Sequence, residues 1–91
     1  MNFYQLNEIS LGKVEEWTFE DVSVWLRKIC MKEYQSIFLE SKIDGAMLMI
    51  LSNDDLINGL NINNMMHRKR FFQALNLLKQ QKFAHSPFQK T

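Results

Sequence analysis

The groups able to do chemistry in this 91-residue chain are two histidines, one cysteine, ten carboxylates and eleven lysines and arginines. Metal chemistry needs three or four such side chains at ligand spacing. His67 and His85 are eighteen residues apart, Cys30 stands alone, and no set of carboxylates repeats at a suitable interval. Gly12, Gly45 and Gly59 are isolated, so no glycine-rich loop can cradle a phosphate. Asp54-Asp55 suits the first turn of a helix, where the macrodipole favours acids. The chain reads as no enzyme, with no metal, cofactor or small-molecule substrate.

Charge offers a different chemistry, that of recognition. All ten acids lie within residues 1–60 beside five bases, whereas residues 61–91 carry six bases and no acid. Such an imbalance puts opposite charge on different faces of a small domain and favours head-to-tail association. The plain alternative is two solvated faces with no partner. His67-Arg68-Lys69-Arg70 gathers cations where the last helix would begin. Cations there oppose the helix dipole, which suggests a purpose other than helix stability. The competing reading packs the Arg68 stem on the body and leaves the rest in water.

The elements that hold these residues read as helices. Seven Phe, two Trp and two Tyr supply a core, and one Pro with three Gly leaves little turn chemistry for a β fold. Thr18 and Asp21 have capping-box spacing, and Phe19, Val22, Leu26 and Ile29, widened by Trp25, form the stripe of a first helix. A second helix covers roughly residues 32–40, with Tyr34, Ile37 and Phe38 on one side. Asp44 caps a short third helix at residues 46–50, and Gly45 is expected to supply an unusual torsion at the corner. Ser52 and Asp55 repeat the capping spacing for a fourth helix carrying Leu56 and Ile57, which Gly59 should end in a left-handed conformation. Leu60 and Ile62 anchor a tight turn. Asn63 or Asn64 then caps the longest helix, about residues 65–82, with Phe71 or Phe72, Leu75, Leu78 and Phe83 inward.

The expected fold is therefore all-α, a compact five-helix bundle with a long C-terminal helix. Residues 1–16 form a lead-in with one short helical turn, 17–83 the domain and 84–91 a flexible tail. Trp17 and Trp25 belong to the core. Cys30, between Ile29 and Met31, is expected to be a small buried residue. Met31, Met47, Met49, Met65 and Met66 are expected mostly to fill core gaps, with Met65 or Met66 the candidates for exposure.

A single cysteine permits no internal disulfide and suits a reducing compartment, the cytoplasm or the nucleus. The longest apolar run, Ala46 to Leu51, is far short of the ~20 residues that span a bilayer, and no signal peptide is visible. A soluble cytoplasmic protein with no membrane partner is the expectation.

The order Trp17, Asp21-Val22, Trp25-Leu26, Tyr34, Phe38, Ile43-Asp44-Gly45, Leu48-Met49, Asp55-Leu56, Leu60-Asn61-Ile62 and Met66-His67-Arg68 resembles the pattern of sterile alpha motif (SAM) domains. The likeness covers about two-thirds of the chain. Asn61 and Met66 stand where that pattern has glycine, and one extra residue separates Leu56 from Leu60. This longer spacing, with the basic-aromatic run after it, is similar to the SAM domains of SAM–TIR NAD hydrolases and, less closely, of liprins. The hydrolase activity of such proteins lies in their TIR domain, which has no counterpart in these residues.

The resemblance implies a scaffolding and signalling module that self-associates or binds another SAM domain. Its end-helix face would carry His67, Arg68, Lys69 and Arg70, and its mid-loop face Glu40, Asp44, Asp54 and Asp55. Of the acids, Glu40 and Asp54 are the freer, since Asp44 and Asp55 are also caps. Smaug-type SAM domains bind RNA hairpins through basic residues near the last helix, so RNA binding through Arg68, Lys69, Arg70, Lys79 and Lys82 is the alternative. The acidic balance of residues 1–60 argues against it.

Overall fold

The computed structural model describes residues 13–84, with side-chain surroundings through Gln80. Most of the expected lead-in, the expected tail after residue 84, and the side chains of Lys82 and Phe83 lie outside the described residues. Five helices follow one another: α1 (Phe19–Lys28), α2 (Gln35–Glu40), α3 (Gly45–Leu48), α4 (a single π-type turn, Asp55–Gly59) and α5 (Met65–Ala84). Short 3-10 turns at Val14–Glu16 and Lys32–Tyr34 precede α1 and α2. The described residues contain no strand. The all-α bundle with a long last helix is as the sequence predicts.

Polar side chains start these helices. The Asp21 N–H donates to Thr18 Oγ1 at 3.1 Å, and the Thr18 N–H donates to the Asp21 carboxylate at 2.9 Å. Ser52 and Asp55 exchange the same pair of bonds, at 3.1 and 2.8 Å. Asp44 accepts from the Met47 N–H at 3.0 Å. Of the two candidate asparagines, Asn64 caps α5, taking the N–H groups of Met66 and His67 at 2.8 and 3.2 Å. Each cap satisfies donors that the helix itself leaves open.

The helix ends depart from expectation. Neither Gly45 nor Gly59 has a positive φ; the left-handed residues are Cys30, Lys42 and Asn61, with φ of 65°, 56° and 60°. After α1, the Cys30 N–H donates to Arg27 O and the Met31 N–H to Leu26 O. After α2, Lys42 and Ile43 make the equivalent bonds to Leu39 O and Phe38 O. Both are Schellman closures, in which the residue after the left-handed one packs back on the helix. Met31 and Ile43 are accordingly buried, as is Ile62 after Asn61. Cys30 is thus exposed rather than buried, because the left-handed backbone turns it outward while Met31 takes the inner place. A left-handed non-glycine residue costs about 1–2 kcal/mol, and glycine returns part of that as unfolded-state entropy. Cys30→Gly is therefore expected to stabilise the domain by about 0.5–1 kcal/mol, read as a higher urea midpoint with an unchanged slope.

The core joins residues from every helix. Trp25, Leu26, Phe38, Leu48, Leu56, Leu60, Ile62 and Leu75 are all buried together, and Leu78 packs half-buried against them. Phe71 is the inward member of the pair at 71 and 72. Its ring lies 5.6 Å from Trp25, edge-on, and 5.9 Å from Phe38, so α5 is fixed to α1 and α2 through one aromatic side chain. Trp17 is buried with Trp25, their centroids 6.4 Å apart.

Gly45 contributes closeness instead of torsion. A β-carbon there would overlap the Val14 carbonyl oxygen and lie 2.9 Å from the Trp17 nitrogen. The Gly45 N–H also donates to Trp17 O at 3.0 Å. Gly45 is where α3 meets the 3-10 turn that carries buried Val14.

The methionines also divide differently from expectation. Met31 is buried and Met49 half-buried, but Met47, Met65 and Met66 are 42 %, 57 % and 62 % exposed. The π-type turn is the structural answer to the extra residue between Leu56 and Leu60. The Leu60 N–H reaches back five residues to Asp55 O at 3.0 Å, so the insertion is taken up as a wider turn while Leu56 and Leu60 stay buried.

Candidate interaction surface

Helical phase sorts the basic run at the start of α5. Phe71 and Leu75 face the core, so Met66, Lys69, Arg70, Gln73 and Leu77 line the exposed side. His67 and Arg68 fall between these faces and are engaged within the molecule. The Tyr34 hydroxyl and His67 Nδ1 share a hydrogen bond of 2.6 Å, whose direction is set by the imidazole tautomer. Glu33 stands 4.0 Å from the same nitrogen. Burial raises the Tyr34 pKa above its ordinary value, with the Glu33 carboxylate adding to the effect. Arg68 donates from Nε to Asn53 Oδ1 at 3.1 Å and from a terminal nitrogen to Ile62 O at 2.9 Å. It ties α5 to the segment entering α4 and to the turn at Asn61.

Lys69 and Arg70 are exposed and make no hydrogen bond or ion pair with another described residue. The four-residue run is therefore two cations directed outward and two side chains spent on the fold.

The acidic residues divide in the same way. Asp44 and Asp55 hold the caps of α3 and α4. Glu40, at the end of α2, and Asp54, just before α4, are exposed and unpaired among the described residues. Between these elements lies an open, mostly apolar groove lined by Ile43, Met47, Ile50, Leu51 and Leu60, with Ser41, Asp55 and Gly59 completing it. Ile50 is 70 % exposed. Sequence reasoning missed this groove. The available signal was the six-residue apolar run from Ala46 to Leu51, because one helical turn cannot turn six successive side chains inward.

No group of three or more His, Cys, Asp or Glu among the described residues is placed to hold a metal ion. No helix among them is long and apolar enough to cross a membrane.

A bundle of four short helices and one long one, whose surface carries an apolar groove and two outward cations, defines a small all-α interaction domain. The profile of the SAM domain (sterile alpha motif) family matches residues 15–79, and the chain belongs to that family of protein-interaction modules. Among curated relatives, it is 37 % identical over 67 residues to NAD(+) hydrolase tir-1 of Caenorhabditis elegans, covering 74 % of this chain and 7 % of that one. It is 33 % identical over 69 residues to NAD(+) hydrolase SARM1 of Danio rerio, covering 76 % and 10 %. A third relative, SH3 and multiple ankyrin repeat domains protein 2 of Xenopus laevis, is 34 % identical over 69 residues, covering 76 % and 5 %. The chain thus spans a tenth or less of the length of these relatives, and the match is to their shared interaction domain.

Proposed function

We propose that this domain is a non-catalytic interaction module that binds a second copy of itself, or another SAM domain, head to tail. The observation that carries the proposal is the complementarity of two surface patches. One is the apolar groove at Met47, Ile50 and Leu51, neighboured by Glu40, Asp54 and Asp55. The other is the exposed Met65–Met66 pair followed, one turn along α5, by Lys69 and Arg70. An apolar contact ringed by opposite charges is the usual anatomy of a specific interface. Because each molecule carries both patches, such docking leaves one of each free and extends a chain, or closes a ring if the rotation permits.

The hydrolase activities named for two relatives belong to proteins ten or more times longer than the matched segment and are not assigned to this domain. Cytoplasmic residence is part of the proposal, supported by the single cysteine, which permits no internal disulfide.

Light scattering coupled to size exclusion tests the proposal directly. The mass is expected to climb with protein concentration, and to fall as salt is raised from about 0.05 to 0.5 M, because exposed charge pairs are screened. A fixed monomer mass at every concentration and salt, with no binding to any other SAM domain, would overturn it.

A further inference from the structure

We propose that Met47, Met65 and Met66 make association oxidation-sensitive: a peroxide converts these exposed thioethers to sulfoxides, and the oxidised domain docks poorly. The inference rests on the head-to-tail reading and extends it to regulation. Its basis is the uneven placement of the methionines. The three most exposed ones described lie in the two docking patches, one in the groove and two at the start of α5. Met31 is fully enclosed in the core and Met49 packs against it. Exposure governs which thioethers a peroxide reaches, so the docking patches react while the core is protected.

The chemistry balances within the pair of reactants. The thioether sulfur gives two electrons to hydrogen peroxide, the O–O bond breaks, an S–O bond forms, and the second oxygen leaves as water. The product is a strongly polar acceptor in place of an apolar side chain. Of the side chains lining the groove only Ser41 carries a donor; Ile43, Ile50, Leu51 and Leu60 have none to offer it. Burying an acceptor without a partner costs about 1–3 kcal/mol, equivalent to a loss of roughly five-fold to a hundred-fold in affinity for each sulfoxide. All three side chains stand outside the core, so association is expected to be lost without unfolding.

The test uses the Cys30→Gly chain beside the wild type, so that the exposed thiol contributes nothing. After treatment with dilute hydrogen peroxide, peptide mass mapping is expected to place oxygen on Met47, Met65 and Met66 before Met31. Light scattering should then show association weakened about ten-fold or more, with the helical circular dichroism unchanged. Methionine sulfoxide reductase with a thiol reductant should restore it. Without peroxide, Met66→Gln, which places a polar group of similar length at that position, should weaken association in the same direction. Full oxidation of all three residues with unaltered association would overturn the inference, as would loss of helicity in step with oxygen uptake at Met31. If the reduced protein never associates, the docking reading fails first, and the light-scattering series on untreated protein shows which of the two has failed.

Discussion

Gly45→Ala is expected to destabilise the domain by about 2–4 kcal/mol. Most core substitutions remove atoms; this one adds a carbon where backbone already stands. The new β-carbon would meet the Val14 carbonyl oxygen and the Trp17 nitrogen, which are main-chain atoms and cannot rotate away. Relief requires the turn Val14–Glu16 to lift from α3. That stretches the Gly45 N–H bond to Trp17 O and draws Trp17 away from Trp25. Overpacking of this kind costs about 1–3 kcal/mol and a hydrogen bond about 0.5–1.5. Small domains have only some 5–15 kcal/mol in all. Urea melts followed by circular dichroism provide the check. A shift below 0.5 kcal/mol would mean that the turn before α1 is not held against α3.

Charge reversal on the two proposed docking patches is expected to give the second large effect. Lys69→Glu and Asp54→Lys each place the wrong sign opposite the partner, and each variant alone is expected to remain monomeric at concentrations where the wild type grows. Both positions are exposed and free of intramolecular bonds among the described residues, so neither substitution disturbs the fold. Mixed together, the two variants retain one intact basic patch and one intact acidic patch between them. A one-to-one heterodimer is the expected product, since neither partner can add a third molecule. Arg68→Glu makes a useful contrast. It breaks the bonds to Asn53 and Ile62, so it should lower the melting temperature, which the Lys69 and Asp54 variants leave alone. If the mixture stays monomeric and neither variant differs from wild type, two-patch docking is wrong. A gain of RNA-hairpin binding in Asp54→Lys and its loss in Lys69→Glu would point to RNA instead.

Much of the fold was legible because its signals are local. Thr18 with Asp21, and Ser52 with Asp55, announce helix starts at fixed spacing, and the inward stripe of α1 follows the helical period. The helix ends were less legible. Glycine is the ordinary sequence mark of a left-handed turn, yet Cys30, Lys42 and Asn61 adopt them, because a buried apolar residue immediately after each stabilises the closure. Asn61 alone showed its tolerance in its side-chain type. The surface was legible in composition and not in assignment. Charge counting pointed to an acidic and a basic surface but could not tell Arg68, bonded to Asn53, from Lys69, directed to solvent. That division depends on helical phase and on segments distant in sequence. The groove depended on α3 being only one turn long, which leaves Ile50 outside.

Many domains of this architecture can share one cell, so a docking surface must reject its near-copies as well as accept its partner. The widened turn Asp55–Gly59 bears on that discrimination. Gly59 ends it with open space where a side chain would project, and the same turn forms one wall of the groove. A lookalike domain with the shorter spacing would present a differently shaped wall to the methionine pair that the proposed docking would bring. Selectivity is a difference between two binding energies, and a misfit on the competitor's side contributes as much as a good fit here. One inserted residue, absorbed without loss of Leu56 or Leu60 from the core, thus lets the binding wall change shape independently of the interior that supports it.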